Sequence, residues 1–178
     1  MCGVLGGLGA HAVKILRALG ASPVIALDIA EKARDRAREY GADYVLDSGA
    51  DDCVDRVREV TGGEGLDVAF DFAGVAPVRK QALSVLGVGG KLVLVGITGK
   101  EVVIPNDLDF SMNNQSLVGH YGSRPGSIED VVKMLEEGKV NFDDSVTEVL
   151  PLAEAQTAVD HLENKVGDPI RIVLHPED

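Results

Sequence analysis

The sequence is poor in cysteine, in basic residues and in long apolar runs. Among its 178 residues there are two cysteines, Cys2 and Cys53. They form no C-x-x-C pair and have no neighbouring histidine cluster, which argues against both a disulfide framework and a zinc site. We expect each cysteine to be a small apolar side chain that is buried or half-buried.

Positive charge is also scarce. The chain has 17 Lys and Arg against 29 Asp and Glu, which gives a formal net charge of −12. This balance repels a phosphate backbone or an anionic membrane surface. No apolar run has the length of a bilayer span, and the first residues lack the basic start and cleavage site of a signal peptide. We therefore expect a cytoplasmic protein with neither nucleic acid nor membrane as a partner.

What the sequence does contain is a regular alternation of short apolar runs and helical patterns. The runs that read as strands are residues 24–27, 44–46, 67–72, 91–97, 116–121 and 170–174. The helical patterns cover residues 9–20, 31–40, 52–60, 77–86, 128–138 (with Ser127 as N-cap) and 152–163. Several of the strands lack a polar alternate position, as expected when both faces of a parallel sheet are covered. The pattern predicts an α/β fold with a doubly wound parallel sheet in three α/β/α layers, formed as one domain over residues 1–178.

A glycine-rich turn stands at the start of the first helix. Gly3, Gly6 and Gly9 form G-x-x-G-x-x-G, with Val4 where G-x-G-x-x-G would have its first glycine. Glycines at this place let the backbone turn tightly and let a pyrophosphate approach the main chain, while the helix N-terminus supplies N–H groups. Gly6, Gly7 and Gly9 are therefore candidate cofactor-binding residues, although an ordinary tight turn would use the same glycines.

An acid follows the second predicted strand. Asp28 ends "VIALD", about 20 residues after the glycines, where the Rossmann dinucleotide-binding fold has the acid that binds the adenosine ribose. Its carboxylate would accept hydrogen bonds from both ribose hydroxyls and repel a 2′-phosphate, which favours NAD over NADP. The alternative is that Asp28 is a solvated strand end or a cap for the next helix.

Five segments together resemble the cofactor domain of the medium-chain, zinc-type alcohol dehydrogenases. They are "GGLGAHAVKILRALGA", "ALDIAEKARDRAREYGAD", "TGGEGLDVAFDFAG", "GGKLVLVGI" and "GDPIRIVL", which between them span nearly the whole chain. The resemblance implies a domain that binds NAD(H) in an oxidoreductase acting on a small alcohol or polyol.

The resemblance also implies a set of cofactor-binding residues. The pyrophosphate would contact Gly6, Gly7, Leu8, Gly9 and Arg171. The adenosine ribose would contact Asp28 and Lys32. The nicotinamide side of the cofactor would contact Phe72, Ala73, Gly74, Val95, Gly96, Ile97 and Val118. The place where relatives often have the basic ribose contact is occupied by Ala33. Each residue also has an ordinary structural interpretation, with Gly74 and Gly96 as turn glycines, Ile97 and Val118 as core residues and Arg171 as a surface charge.

The zinc-binding catalytic domain of the resembled family has no counterpart in this sequence. The four histidines, His11, His120, His161 and His175, lie on different predicted elements without the spacing of metal ligands. No catalytic residue and no metal ligand is therefore expected, although His120 lies nearest to the expected cofactor crevice. The resemblance implies that this chain is the second part of a longer enzyme. The chain would begin inside or just before the first strand of its domain (residues 1–5), and from about residue 150 it would return toward the catalytic domain.

Three other interpretations remain open. A zinc-independent quinone or enoyl reductase of the same superfamily would have a similar domain but usually prefers NADPH, which Asp28 disfavours. A methyltransferase that binds S-adenosylmethionine also has a glycine turn and an acid, but ends in an antiparallel hairpin. The third interpretation is a non-catalytic module that binds NAD or forms a dimer. Residues 102–116 match a strand region that, in relatives, pairs with a second copy across a two-fold axis. The resemblance therefore implies a homo-oligomer formed through a sheet edge.

Overall fold

The computed structural model describes residues 2–3 and 6–176. The strands are β1 (Cys2–Gly3), β2 (Ile25–Asp28), β3 (Tyr44–Asp47), β4 (Leu66–Asp71), β5 (Leu86–Leu94), β6 (Ser116–Gly119), β7 (Val146–Pro151) and β8 (Arg171–His175). The α-helices are α1 (Gly7–Ala18), α2 (Glu31–Glu39), α3 (Cys53–Val60), α4 (Ala76–Ser84), α5 (Asp107–Met112), α6 (Ser127–Glu136) and α7 (Ala155–Asn164). Single turns of 3₁₀ helix cover Asp143–Ser145 and Leu152–Glu154.

The first six strands form one parallel sheet in the order β3-β2-β1-β4-β5-β6. This is the strand order of the Rossmann dinucleotide-binding fold, so the predicted doubly wound α/β fold is confirmed. The first strand lies in the middle of the sheet, because Cys2 and Gly3 pair with β2 on one side and β4 on the other. Met1, Val4 and Leu5, which were expected in the same strand, lie outside the described residues, as does the side chain of Cys2.

Helices cover both faces of this sheet. Successive residues of one strand point to opposite faces, and in and just before β2 they enter two different core clusters. Ile25 and Leu27 pack with α3 and α4 in a cluster completed by Cys53, Val57, Leu66, Ala69, Ala82, Leu83, Val85, Leu86 and Leu92. Val24 and Ala26 pack with α1 and α2 in a second cluster completed by Val13, Ala33 and Ala37. Burial on both faces accounts for the apolar run at residues 24–27.

The largest error at an element boundary concerns β5. The prediction extended the preceding helix to residue 86 and began the strand at residue 91, whereas α4 ends at Ser84 and β5 already begins at Leu86. The glycines in the first half of β5 resembled a turn in the sequence, but two of them, Gly87 and Gly90, allow close packing against residues 64–66. A Cβ atom on Gly87 would lie 2.4 Å from the Glu64 carbonyl oxygen, and one on Gly90 would lie 2.6 Å from that of Leu66.

Residues 102–116 do not form the strand that the sequence analysis expected. Within this segment the chain forms the short helix α5, and only Ser116 belongs to a strand. The Asn106 side chain caps α5 by accepting hydrogen bonds from the N–H groups of Leu108 and Asp109. An asparagine that satisfies these end groups favours a helix start over an extended chain at this point.

The chain divides into two compact units, Met1–Val131 and Val132–Asp178. The second unit contains β7, which the sequence analysis missed, paired in parallel with β8. Thr147 joins the two strands, since its hydroxyl donates to the Arg171 carbonyl at 2.9 Å and accepts from the Ile170 N–H at 3.2 Å. Helix α7 follows β7, and its His161 lies 3.0 Å from the Glu148 carboxylate.

Among the described residues, the helices are all too short or too polar to cross a bilayer.

We expect Leu92→Ala to reduce the free energy of unfolding by about 2–5 kcal/mol, because Leu92 has no exposed surface and its truncation leaves a cavity in the first core cluster. The matched control is Leu108→Ala, since the Leu108 side chain is 62% exposed. Urea unfolding curves of the two variants measure the difference. Equal losses of stability in both would contradict the core assignment.

Candidate functional site

Gly6, Gly7 and Gly9 of the glycine-rich motif lie at the start of helix α1. Gly6 is the N-cap residue, and Gly9 is buried where the helix begins, while the Leu8 side chain is exposed. The first turn of α1 contains no acidic residue. Since the first N–H groups of a helix lack partners within the helix and carry partial positive charge, Gly7, Leu8 and Gly9 offer backbone donors to an anion at the carboxyl end of β1.

Asp28 ends β2, the strand beside β1, and is therefore at the same edge of the sheet. The residue is only 5% exposed, so it is not the solvated strand end considered above. Its Oδ1 accepts a hydrogen bond of 2.8 Å from the Ala30 N–H, which fixes the carboxylate at the start of the β2–α2 connection. A buried carboxylate next to a helix N-terminus has the position expected of a ribose-binding acid.

The sequence analysis missed a basic residue that contacts the backbone of this acid. Lys32 is exposed and Ala33 lies in the core, whereas Arg34 turns back toward the strand end. Its Nη1 donates to the carbonyl oxygens of Asp28 and Ile29, both at 2.9 Å, and lies 3.2 Å from the Asp47 carboxylate. Arg34 is thus attached to the backbone of the candidate site and to the end of β3. The signal in the sequence was an arginine near the start of α2, six residues after Asp28, without the spacing of a known motif.

The turns after β4 and β5 meet at the buried residue Asp71. Its Oδ1 accepts hydrogen bonds from the N–H groups of Ala73 at 3.0 Å and Gly74 at 2.8 Å. Its carbonyl oxygen accepts from the N–H groups of Val95 at 2.9 Å and Gly96 at 2.7 Å. One residue therefore binds the backbone of both turns that the sequence analysis connected with the nicotinamide.

Gly74 and Gly96 allow these turns to pack backbone against backbone. A Cβ atom on Gly96 would lie 2.4 Å from the Gly74 nitrogen, and Gly74 has a φ of +72°, which favours glycine. The Thr98 hydroxyl adds a hydrogen bond of 2.8 Å to the Gly74 carbonyl. Both glycines are therefore required by the structure of the turns, whether or not a ligand binds there.

The remaining predicted residues differ in how far their side chains are exposed. Phe72 is half-buried and stacks on Phe70, with ring centroids 6.1 Å apart, while Ile97 is 66% exposed and is not the core residue considered as an alternative. Val118 lies in β6 opposite Val93 and is partly exposed. Arg171 is the exposed first residue of β8 in the second unit.

Comparison with known proteins identifies the family. A family model described as zinc-binding dehydrogenase matches residues 7–137. The chain belongs to this family. It is 32% identical over 162 residues to an NAD-dependent alcohol dehydrogenase of Sulfurisphaera tokodaii, covering 91% of this chain and 46% of that protein. It is 34% identical over 138 residues to a D-arabinose 1-dehydrogenase (NADP(+)) of Saccharolobus solfataricus, covering 76% of this chain and 38% of that protein.

A solved structure agrees with this assignment. The 2R,3R-butanediol dehydrogenase of Bacillus subtilis superposes with a TM-score of 0.89 at 28% identity, over 99% of this chain and 50% of that one. The chain thus spans about half the length of the zinc-binding dehydrogenases that it matches. The family resemblance stated from the sequence is confirmed.

The described residues do not form the metal site that gives the family its name. Within residues 2–3 and 6–176, no group of three His, Cys, Asp or Glu side chains could hold a metal ion. His120 is exposed just after β6, and His161 pairs with Glu148. Cys53 is buried, and desolvation together with the nearby Asp47 and Asp52 raises the pKa of its thiol. A raised pKa keeps the thiol protonated and therefore makes Cys53 a poor nucleophile and a poor zinc ligand.

We expect Gly96→Ala to reduce the free energy of unfolding by about 1–3 kcal/mol, because the added methyl group forces apart the turns after β4 and β5. Gly119→Ala is the control, since a Cβ atom at Gly119 meets nothing within 4 Å. Thermal unfolding of both variants measures the difference. The close approach of the two turns would be refuted if both variants melted at the same temperature.

Proposed function

We propose that residues 1–178 form the NAD-binding domain of an alcohol or polyol dehydrogenase. The observation that carries this proposal is the placement of the buried Asp28 carboxylate at the same sheet edge as the glycine turn and the N-terminus of α1. An acid for the ribose and a cluster of N–H donors for the pyrophosphate are the two features that a dinucleotide requires of this fold. The names of the relatives support an oxidoreductase that acts on an alcohol.

The pyrophosphate would bind the backbone N–H groups of Gly7, Leu8 and Gly9, with Gly6 leaving space for its approach. In a chain with a net charge of −12, these donors would offset the repulsion that an anionic cofactor meets.

The adenosine ribose would donate both hydroxyl hydrogens to Asp28. We propose NAD rather than NADP, because a 2′-phosphate would face this carboxylate. Arg34 would not compensate, since its guanidinium is held by two backbone carbonyls and by Asp47. Lys32 is exposed next to this site and would contact the ribose only from the solvent side. The relatives include enzymes named for NAD and for NADP, so this choice depends on the chain's own residues.

The nicotinamide would lie against the turns formed by Phe72, Ala73 and Gly74 and by Val95, Gly96 and Ile97. Val118 would offer its backbone to the carboxamide. Bound NAD would accept a hydride at nicotinamide C4 from the carbon of the alcohol. The contribution of this chain would be to hold the ring at a fixed distance and angle and to exclude water from one of its faces.

The alcohol and the zinc ion would be bound by a part of the protein outside this sequence. The described residues do not fit a zinc site, so no catalytic step is assigned to them.

Among the alternatives, a quinone or enoyl reductase of the same superfamily would use this domain with NADPH. Cofactor preference therefore separates the reductase from the alcohol dehydrogenase. The parallel pairing of β8 with β7 is unlike the antiparallel hairpin of a methyltransferase.

The cofactor proposal is tested with Asp28→Asn. The amide oxygen still accepts from the Ala30 N–H, so the fold is expected to persist while the charge is lost. We expect NADH affinity to fall at least about tenfold, since a hydrogen bond to a charged group contributes about 1.5–3 kcal/mol. The preference for NADH over NADPH should fall with it. Calorimetric titration with both cofactors at one salt concentration measures these changes.

The matched control is Asp55→Asn, which removes the same charge from an exposed position on α3. It should leave both affinities unchanged. A folded wild-type chain that binds neither cofactor would overturn the proposed function, and a preference for NADPH would favour the reductase alternative.

We also propose a homo-oligomer formed through β6. This strand is the last in the order of the six-stranded sheet, so its outer edge lacks a neighbour among the described strands. A strand edge of this kind can pair with a second copy, and Val118 and Tyr121 add exposed apolar surface beside it. Sedimentation equilibrium should show association that increases with protein concentration. A monomer at every concentration would contradict this proposal.

A further inference from the structure

The most completely buried ion pair among the described residues joins Asp71 to Arg79. Arg79 lies in the first turns of α4, and its Nε donates to the Asp71 Oδ2 at 2.8 Å. The side chains are 0% and 6% exposed, respectively. Burial of two charges costs several kcal/mol for each ion, so a pair of this kind is poor evidence of a contribution to stability alone. We therefore consider the other groups to which the Asp71 and Arg79 side chains are hydrogen-bonded.

Arg79 uses a second nitrogen to reach the other turn. Its Nη2 donates to the Gly96 carbonyl oxygen at 2.9 Å. Asp71 meanwhile accepts from Ala73 and Gly74 through Oδ1. The ion pair thus connects the backbone after β4 to the backbone after β5 and ties both to α4. The separation of the nitrogens in the planar guanidinium makes this double contact possible, whereas lysine has a single nitrogen.

The network is also fully satisfied. Within the described part of the chain, every buried side-chain nitrogen and oxygen has a hydrogen-bond partner. A satisfied buried network is rigid and fixes one arrangement of the groups that it joins. Here the joined groups are Ala73, Gly74 and Gly96, which belong to the candidate nicotinamide site.

We propose that Asp71 and Arg79 are positioning residues for the nicotinamide half of the cofactor. This inference rests on the proposed function, since it assumes that a dinucleotide binds at this edge of the sheet. The pair does not touch the cofactor. It holds the turns after β4 and β5 at one separation, so that the ring meets a preformed surface and does not have to order two loops as it binds. The adenosine half, bound by Asp28 and the glycine turn, does not depend on the pair.

The test compares Arg79→Lys with the wild-type chain, using NADH and ADP-ribose, which lacks the nicotinamide. Lysine keeps the charge beside Asp71 but cannot reproduce both contacts. We expect NADH affinity to fall at least about fivefold while ADP-ribose affinity stays within about twofold, as for the loss of a net hydrogen bond of about 1 kcal/mol. The dihydronicotinamide ring absorbs at longer wavelengths than protein side chains, so the fluorescence of bound NADH reports the surroundings of the ring. Its emission maximum should move toward that of free NADH.

Arg56→Lys is the matched control, because Arg56 is exposed and pairs with Glu59 on the same helix at 3.3 Å. It should leave both affinities and the emission unchanged. A second variant covers the case in which Arg79→Lys does not fold. The double substitution Asp71→Asn with Arg79→Gln keeps an acceptor for Ala73 and Gly74 and replaces the ion pair with two amides, and the same loss confined to NADH is expected.

The outcomes separate this inference from the proposed function. Parallel losses of NADH and ADP-ribose affinity would indicate a general structural role and overturn the inference, as would no loss of either. A folded wild-type chain that binds neither ligand would overturn the proposed function itself. A loss confined to NADH, together with the shift in emission, supports the positioning role.

Discussion

The two turns after β4 and β5 depend on one buried carboxylate. Asp71 ends β4, and its side chain and carbonyl oxygen together accept hydrogen bonds from four backbone N–H groups in two turns. A charge without solvent would be strongly unfavourable here unless it were paired, and Arg79 provides the compensating charge while extending the network to Gly96. The arrangement converts the ends of two neighbouring strands into one rigid surface.

This constraint explains why glycine occupies positions 74 and 96. Turns that share one acceptor residue must approach each other so closely that a Cβ atom on either would overlap the other turn. Glycines at these positions are therefore needed by the protein before any ligand is considered. Their packing role is compatible with the proposed nicotinamide site.

The sequence predicted the elements with clear periodicity and missed those that depend on local detail. The apolar run of β2 and the glycines that follow the helices were sufficient to predict the α/β fold. Helix α5 was missed because it is six residues long and depends on the Asn106 cap, and the start of β5 because its glycines resemble a turn. The Asp71–Arg79 pair and the contacts of Arg34 join residues on different elements, so neither has a spacing that single-sequence reasoning can recognise.

The acidic composition and the proposed anionic cofactor are compatible because the charges at this edge are arranged locally. Exposed charges farther than about 8 Å are largely screened at physiological ionic strength, so the net charge matters less than the groups beside the ligand. Asp71 is neutralised by Arg79 and Asp47 lies against Arg34, while the N-terminus of α1 contributes partial positive charge where a pyrophosphate would bind. Under the proposed function, Asp28 would attract ribose hydroxyls and repel a phosphate at the same position, so this one acid would contribute to both affinity and cofactor choice.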